Sequence, residues 1–262
     1  MNDRQTKEML QQLQDLRLTH MHANCQSFAK EAAKDGIPPL EFLRRLVAAE
    51  CAERFGRLVE RRVRQARMPS IKTFAQYQWE RPRKINRPLI ESLTTLDFIR
   101  EKNNVVFIGG VGVGKTHLTL ALANNACVAG YSVLFTTAVN IVNHLCAAQK
   151  TGCLAEEIRK YRAPNLLCID ELGFIPFDRT AADLLFQVIE GRYEHGSIIV
   201  TTNRIYSDWP MTFNNDAVFT SALLERLLHH SHTVVIEGDS ERMRQKRENE
   251  AATAAKLAAT QP

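Results

Sequence analysis

The chain has 262 residues, is 45% hydrophobic and carries 34 basic against 29 acidic residues, a formal net charge of +5. That length holds one large domain or two modest ones with a buried core, which excludes a disordered tail protein. The charge is uneven: residues 44–87 hold thirteen basic residues against four acids, an excess of nine that leaves the remainder at −4, and such asymmetry points to an anionic partner, most often nucleic acid.

In chain order, the opening MNDRQTKEML has no signal-peptide segment, and no apolar run approaches the roughly 20 residues of a membrane span, so a cytoplasmic, DNA-associated protein is expected. The first seventy residues read as two helical blocks separated by DGIPP. In the second, Leu43, Val47, Cys51, Phe55 and Val59 recur at four-residue steps, which predicts an apolar stripe on one helix face with most arginines on the others. Met68, Pro69 and Ser70 end it, giving a helical N-terminal domain for DNA binding and assembly over residues 1–70. A connector, residues 71–100, carries Phe74, Tyr77, Trp79, Pro82 and Pro88 and leads into a short helix, ESLTTLDFIR.

From Asn104 onward, NVVFI, YSVLFTT, LLCID, SIIVTT and HTVVIEG alternate with helical patterns. Strands alternating with helices predict an α/β fold, a parallel sheet flanked by helices, over residues 101–245. Residues 246–262 are an Ala-rich tail with no apolar period. The six cysteines are scattered without a CxxC pair and read as structural thiols. His229, His230 and His232 have no cysteine nearby and read as packing or interface residues.

Residues 109–116, GGVGVGKT, satisfy GxxxxGK(S/T) directly after the strand NVVFI and before an apolar helix. Backbone N–H groups of the loop and the helix N-terminus therefore converge on one point, where a polyphosphate fits. Glycines let the backbone wrap closely, Lys115 reaches the β and γ oxygens, and the Thr116 hydroxyl ligates Mg²⁺. The expected nucleotide-binding set is Gly109, Gly110, Val111, Gly112, Val113, Gly114, Lys115, Thr116 and His117. LLCIDEL supplies Asp170 at a strand end for the metal and Glu171 to polarise the attacking water, a pair that argues for hydrolysis. SIIVTTN brings Thr202 and Asn203 to the same sheet edge. There Asn203 either positions the lytic water or contacts the γ-phosphate, or else is a turn residue. Arg226 and Arg242 read equally as solvated helix positions or as cations for transition-state charge.

The order GGVGVGKT, CIDELG, TTN, ALLERLLHHSHTVVIEGDSER resembles the AAA+ ATPases of the helicase-loader clade, and most closely the IstB-like helper ATPases of insertion sequences. The resemblance covers residues 10–244 and is most specific over 109–242. It implies Lys115 and Thr116 as Walker A residues, Asp170 and Glu171 as the Walker B pair, Asn203 as sensor 1, Arg226 as arginine finger and Arg242 as sensor 2. Glu241 stands where the family has tyrosine, which leaves Arg242 and Arg244 as alternatives for the last role. It further implies an ATPase that uses ATP and Mg²⁺, assembles as a homo-oligomer on duplex DNA with little sequence preference, deforms it and presents it to a cognate transposase. A replicative helicase loader and a nucleotide-gated DNA clamp with little turnover are the alternatives.

The cations of residues 44–87, Arg57, Arg61, Arg62, Arg64 and Arg67 foremost, are expected to neutralise DNA phosphates in a salt-dependent manner. The interleaved Phe74, Tyr77 and Trp79 read as anchors of the connector in preference to base-stacking wedges.

Overall fold

The computed structural model describes residues 2–240. Arg242, Arg244 and the Ala-rich tail lie outside the described residues, and among those described no helix is long and apolar enough to cross a membrane. The chain forms two compact units that meet in sequence at Arg61 and Arg62.

The first unit is helical: α1 (Asp3–Asp15), α2 (Thr19–Lys34) and most of α3 (Pro39–Gln65), which continues into the second unit. Asn2 opens α1 with a reciprocal capping box to Gln5. The core is small, with Met21, Cys25 and Leu46 buried against Leu10, Leu13, Phe28 and Phe42. Glu50, only 2% exposed, accepts the backbone N–H groups of His20 (2.8 Å) and Met21 (2.9 Å) and the Arg54 guanidinium (3.0 Å). Burial alone would raise this carboxyl, but the hydrogen bonds outweigh it and hold its pKa below the ordinary value.

This arrangement corrects the predicted stripe on α3. The buried positions are Leu46 and Glu50, whereas Leu43, Val47, Cys51 and Phe55 are exposed. The face that packs is set by Glu50, which satisfies N–H groups in the first turn of α2 that have no intrahelical partner.

The second unit holds α4 (Arg87–Leu93), α5 (Asp97–Arg100), β1 (Asn104–Gly109), α6 (Lys115–Ala129), β2 (Val133–Thr137), α7 (Ala138–Lys150), α8 (Leu154–Arg162), β3 (Leu166–Leu172), α9 (Arg179–Glu190), β4 (Ser197–Thr202), α10 (Ala217–Leu228) and β5 (Ser231–Ile236). All five strands are parallel, in the order β2-β3-β4-β1-β5. Successive strand residues enter opposite cores. Val105, Phe107, Cys168 and Ile199 pack with α6, while Val106, Ile108, Leu167, Ile169 and Val200 pack with α7, α9 and α10. Strands covered on both faces are apolar throughout rather than alternating, which is why they are visible as continuous runs in the sequence.

Every strand therefore ends on the same edge of the sheet. The loop after β1, the acid pair of β3 and the threonines of β4 are brought together there by topology alone.

Candidate functional site

The loop between β1 and α6 is confined by its neighbours. A Cβ on Gly109 would collide with the Ile236 carbonyl oxygen at the end of β5. Gly114 has φ +98°, and a Cβ there would stand 2.7 Å from the Tyr77 ring, so both conformation and space demand glycine. Lys115 opens α6 and its Nζ arches back over the loop, donating to the carbonyls of Gly109 (2.7 Å) and Gly110 (2.6 Å). Val113 is buried, and Val111 is 58% exposed.

The connector clamps this loop from one side. Tyr77 donates its hydroxyl to the Val113 carbonyl (3.3 Å), and burial pushes its pKa up to about 12, so the donor stays protonated. Its ring meets Trp79 (4.9 Å) and His117 (5.4 Å) edge-on, and His117 Nε2 lies 3.0 Å from the Thr73 carbonyl. Phe74 and Trp79 pack on the same core, so the connector aromatics are anchors. A cavity of about 240 Å³ remains between connector and loop, lined by Tyr77, Gln78, Arg81, Gly112, Val113, His117 and Gly238.

Beside the loop, the Thr116 hydroxyl donates to the Asp170 carboxylate (3.0 and 3.1 Å to its two oxygens). Asp170 is buried and Glu171 exposed, because the strand bulges between them: Ile169 pairs with Val200 and Leu172 with Thr202, leaving two residues of β3 opposite Thr201 alone. Glu171 takes a left-handed φ of +61° to accommodate the extra residue. Thr201 holds both acids in place, since its hydroxyl donates to Asp170 Oδ1 and accepts the Glu171 backbone N–H (3.0 Å). Glu171 opens onto a groove of about 900 Å³ that runs along β2 past Phe135, Thr137, Asn140 and His144 to Arg67 and Lys160.

Thr201 is the functional residue that sequence reasoning missed in favour of Thr202 and Asn203. The available signal was a pair of adjacent hydroxyls, Thr201 and Thr202, at the end of SIIVTT, each of which must find a partner once buried. Thr202 instead accepts the Arg204 backbone N–H (3.1 Å), and Asn203 is exposed immediately beyond β4.

Arg226 is not brought to this edge. It lies in the last turn of α10, ion-paired with Glu190 and 5.2 Å over the Phe186 ring. The adjacent Leu227 carbonyl accepts from Asn104 at the first residue of β1, which fixes this turn at the opposite, N-terminal edge of the sheet. The basic residues also separate. Arg57 donates to Thr19 Oγ1 (2.6 Å) and lies 3.8 Å from Glu50, as an internal brace of the first unit. Arg62 is half-buried, its guanidinium close to Gly130 at the C-terminus of α6. Arg61, Arg64 and Arg67 are exposed, and none has an acid within ion-pairing distance among the described residues.

The chain matches over residues 11–249 the family model described as IstB-like ATP binding protein. It belongs to that family. The IstB-like chain is 37% identical over 232 residues to the insertion sequence IS5376 ATP-binding protein of Geobacillus stearothermophilus, spanning 88% of this chain and 92% of that one. It is 36% identical over 235 residues to the IS21 ATP-binding protein of Pseudomonas aeruginosa, spanning 90% and 88%. Among solved structures it is similar to AMPPCP-bound DnaA from Aquifex aeolicus, with a TM-score of 0.54 at 21% identity over 69% of this chain and 54% of that one. The DnaI crystal structure gives a TM-score of 0.54 at 18% identity over 63% and 90%. These structures share the fold, and the predicted AAA+ P-loop sheet with flanking helices is the one observed in this IstB-like protein.

Proposed function

We propose that this protein is the ATP-hydrolysing, DNA-binding helper of an insertion sequence, which assembles on duplex target DNA, deforms it and presents it to a partner transposase. The observation that carries the reading is the convergence of Lys115, Thr116, Asp170 and Glu171 on one sheet edge, in a chain whose relatives are named as insertion-sequence ATP-binding proteins. The triphosphate would lie along the loop N–H groups with Lys115 turned from the loop carbonyls to the β and γ oxygens.

The hydroxyl of Thr116 and the carboxylate of Asp170, 3.0 Å apart, are hard oxygen donors suited to Mg²⁺. When bound, that ion would neutralise charge on the β and γ oxygens. Thr201 keeps the Asp170 carboxylate aimed at this point and fixes the peptide from which Glu171 projects. Glu171, facing the groove, would accept a proton from the attacking water. Asn203, just past β4, would contact that water or the γ-phosphate. Arg226, at the far edge of its own sheet, would serve the site of a neighbouring subunit, which ties turnover to assembly.

Thr201→Val keeps the shape but removes the hydroxyl that joins Asp170 to the Glu171 peptide. Turnover is expected to fall about tenfold, the equivalent of one or two lost buried hydrogen bonds, with KM for ATP changed less than kcat and recovery in Thr201→Ser. An unchanged kcat in the valine variant would make the threonine a packing residue only.

Arg61, Arg64 and Arg67 are the exposed cations offered to DNA phosphates. Replacing all three with alanine should weaken binding to any duplex and reduce the slope of log K against log salt by about 0.9 for each phosphate no longer neutralised. The decisive test of the whole reading is ATP turnover and sedimentation with and without a random-sequence duplex at low and moderate salt. Large ATP-dependent complexes on any duplex are expected; a monomer indifferent to ATP and duplex would refute it.

A further inference from the structure

At the N-terminal edge of the sheet, the turn after α9 and the turn between α10 and β5 bring Glu194, His229 and His230 together on the surface, with one ligand atom from each within 4.8 Å of the others. We propose that these three residues bind a divalent transition-metal ion of the zinc class, at a site separate from the nucleotide edge. Two imidazoles and one carboxylate suit Zn²⁺, Co²⁺ or Ni²⁺ far better than Mg²⁺, and three protein ligands leave a position for water.

The surroundings supply what such a site needs. Tyr193 Oη lies 2.7 Å from His229 Nδ1. Where Tyr193 accepts from His229 Nδ1–H, the His229 Nε2 lone pair is left for a metal, the outer-shell pattern that orients histidine ligands. The backbone is held on both sides: the His230 carbonyl accepts Asn104 N–H (2.7 Å), and the His195 and Gly196 N–H groups return to the Arg192 carbonyl (2.9 and 3.0 Å). His229 caps the C-terminus of α10, where the helix dipole favours a cation. None of this depends on the assignment of the nucleotide site.

The test uses tag-free full-length protein without nucleotide, titrated calorimetrically with Zn²⁺ and spectroscopically with Co²⁺. One ion per chain is expected, with a visible Co²⁺ spectrum of imidazole and carboxylate ligation and no thiolate charge-transfer band. His229→Ala and His230→Ala should each weaken binding at least tenfold, and Tyr193→Phe, which touches no metal, should weaken it about tenfold through the His229 ring. All three positions are at the surface, so the variants should melt with the parent. A thiolate band, which would place the ion on the exposed Cys51 or Cys153, overturns the proposal. So does an affinity unchanged in the doubly substituted His229→Ala/His230→Ala chain, or no binding by the parent.

Discussion

Lys115→Ala is expected to lower ATP affinity at least a hundredfold and to abolish ATP-dependent assembly. Every other side chain in GGVGVGKT is absent, apolar or a hydroxyl, so the loop loses its one cationic group. Hydrogen bonds to charged groups contribute about 1.5–3 kcal/mol each, so losing two from Lys115 to phosphate oxygens removes at least the roughly 2.8 kcal/mol that a hundredfold change requires. The fold should survive, because the carbonyls of Gly109 and Gly110 that Nζ holds lie near the protein surface, where water can satisfy them. The glycine conformations and the Tyr77 contact that shape the loop do not involve this side chain. Binding of a fluorescent ATP analogue, measured beside the melting temperature, separates the two effects. Parental affinity in a normally folded Lys115→Ala protein would take the phosphate loop out of the site.

Much of this fold was legible because its strands are buried on both faces and its phosphate loop is local. NVVFI, LLCID and SIIVTT announce themselves as apolar runs, and GGVGVGKT carries its conformation in its own glycines. The acid pair could be placed at a strand end for the same reason. What was not legible depends on partners distant in sequence. The bulge that turns Glu171 outward exists only in the pairing of β3 with β4, and with it the role of Thr201, thirty residues from the peptide it holds. Arg57 looks like Arg61 in the sequence, yet its partner Thr19 is 38 residues away. On α3, four-residue spacing marked the wrong face, because the helix is packed through a buried glutamate that caps α2 rather than through its widest apolar stripe. The helix α8 escaped notice because LAEEIRKYR is short and mostly charged, with four hydrophobic positions in nine residues.

The acid pair itself yields the sharpest expectation. Glu171→Gln should bind ATP as the parent does while turnover falls by a hundredfold to ten-thousandfold, the usual contribution of a positioned general base. Glutamine matches glutamate in size, and the contact that fixes position 171 is made by the backbone N–H to Thr201, not by the side chain. Geometry at the bulge, the Thr116–Asp170 pair and the loop are therefore left intact, and only the capacity to accept a proton is removed. An assembly that forms with ATP and disperses after hydrolysis would then persist, so the glutamine variant should remain on duplex DNA with nucleotide unhydrolysed. Phosphate release and sedimentation measured on the same sample test both halves. Parental turnover would move the base to another residue on the groove along β2, whereas lost ATP binding would assign Glu171 to ligand contact instead of proton transfer.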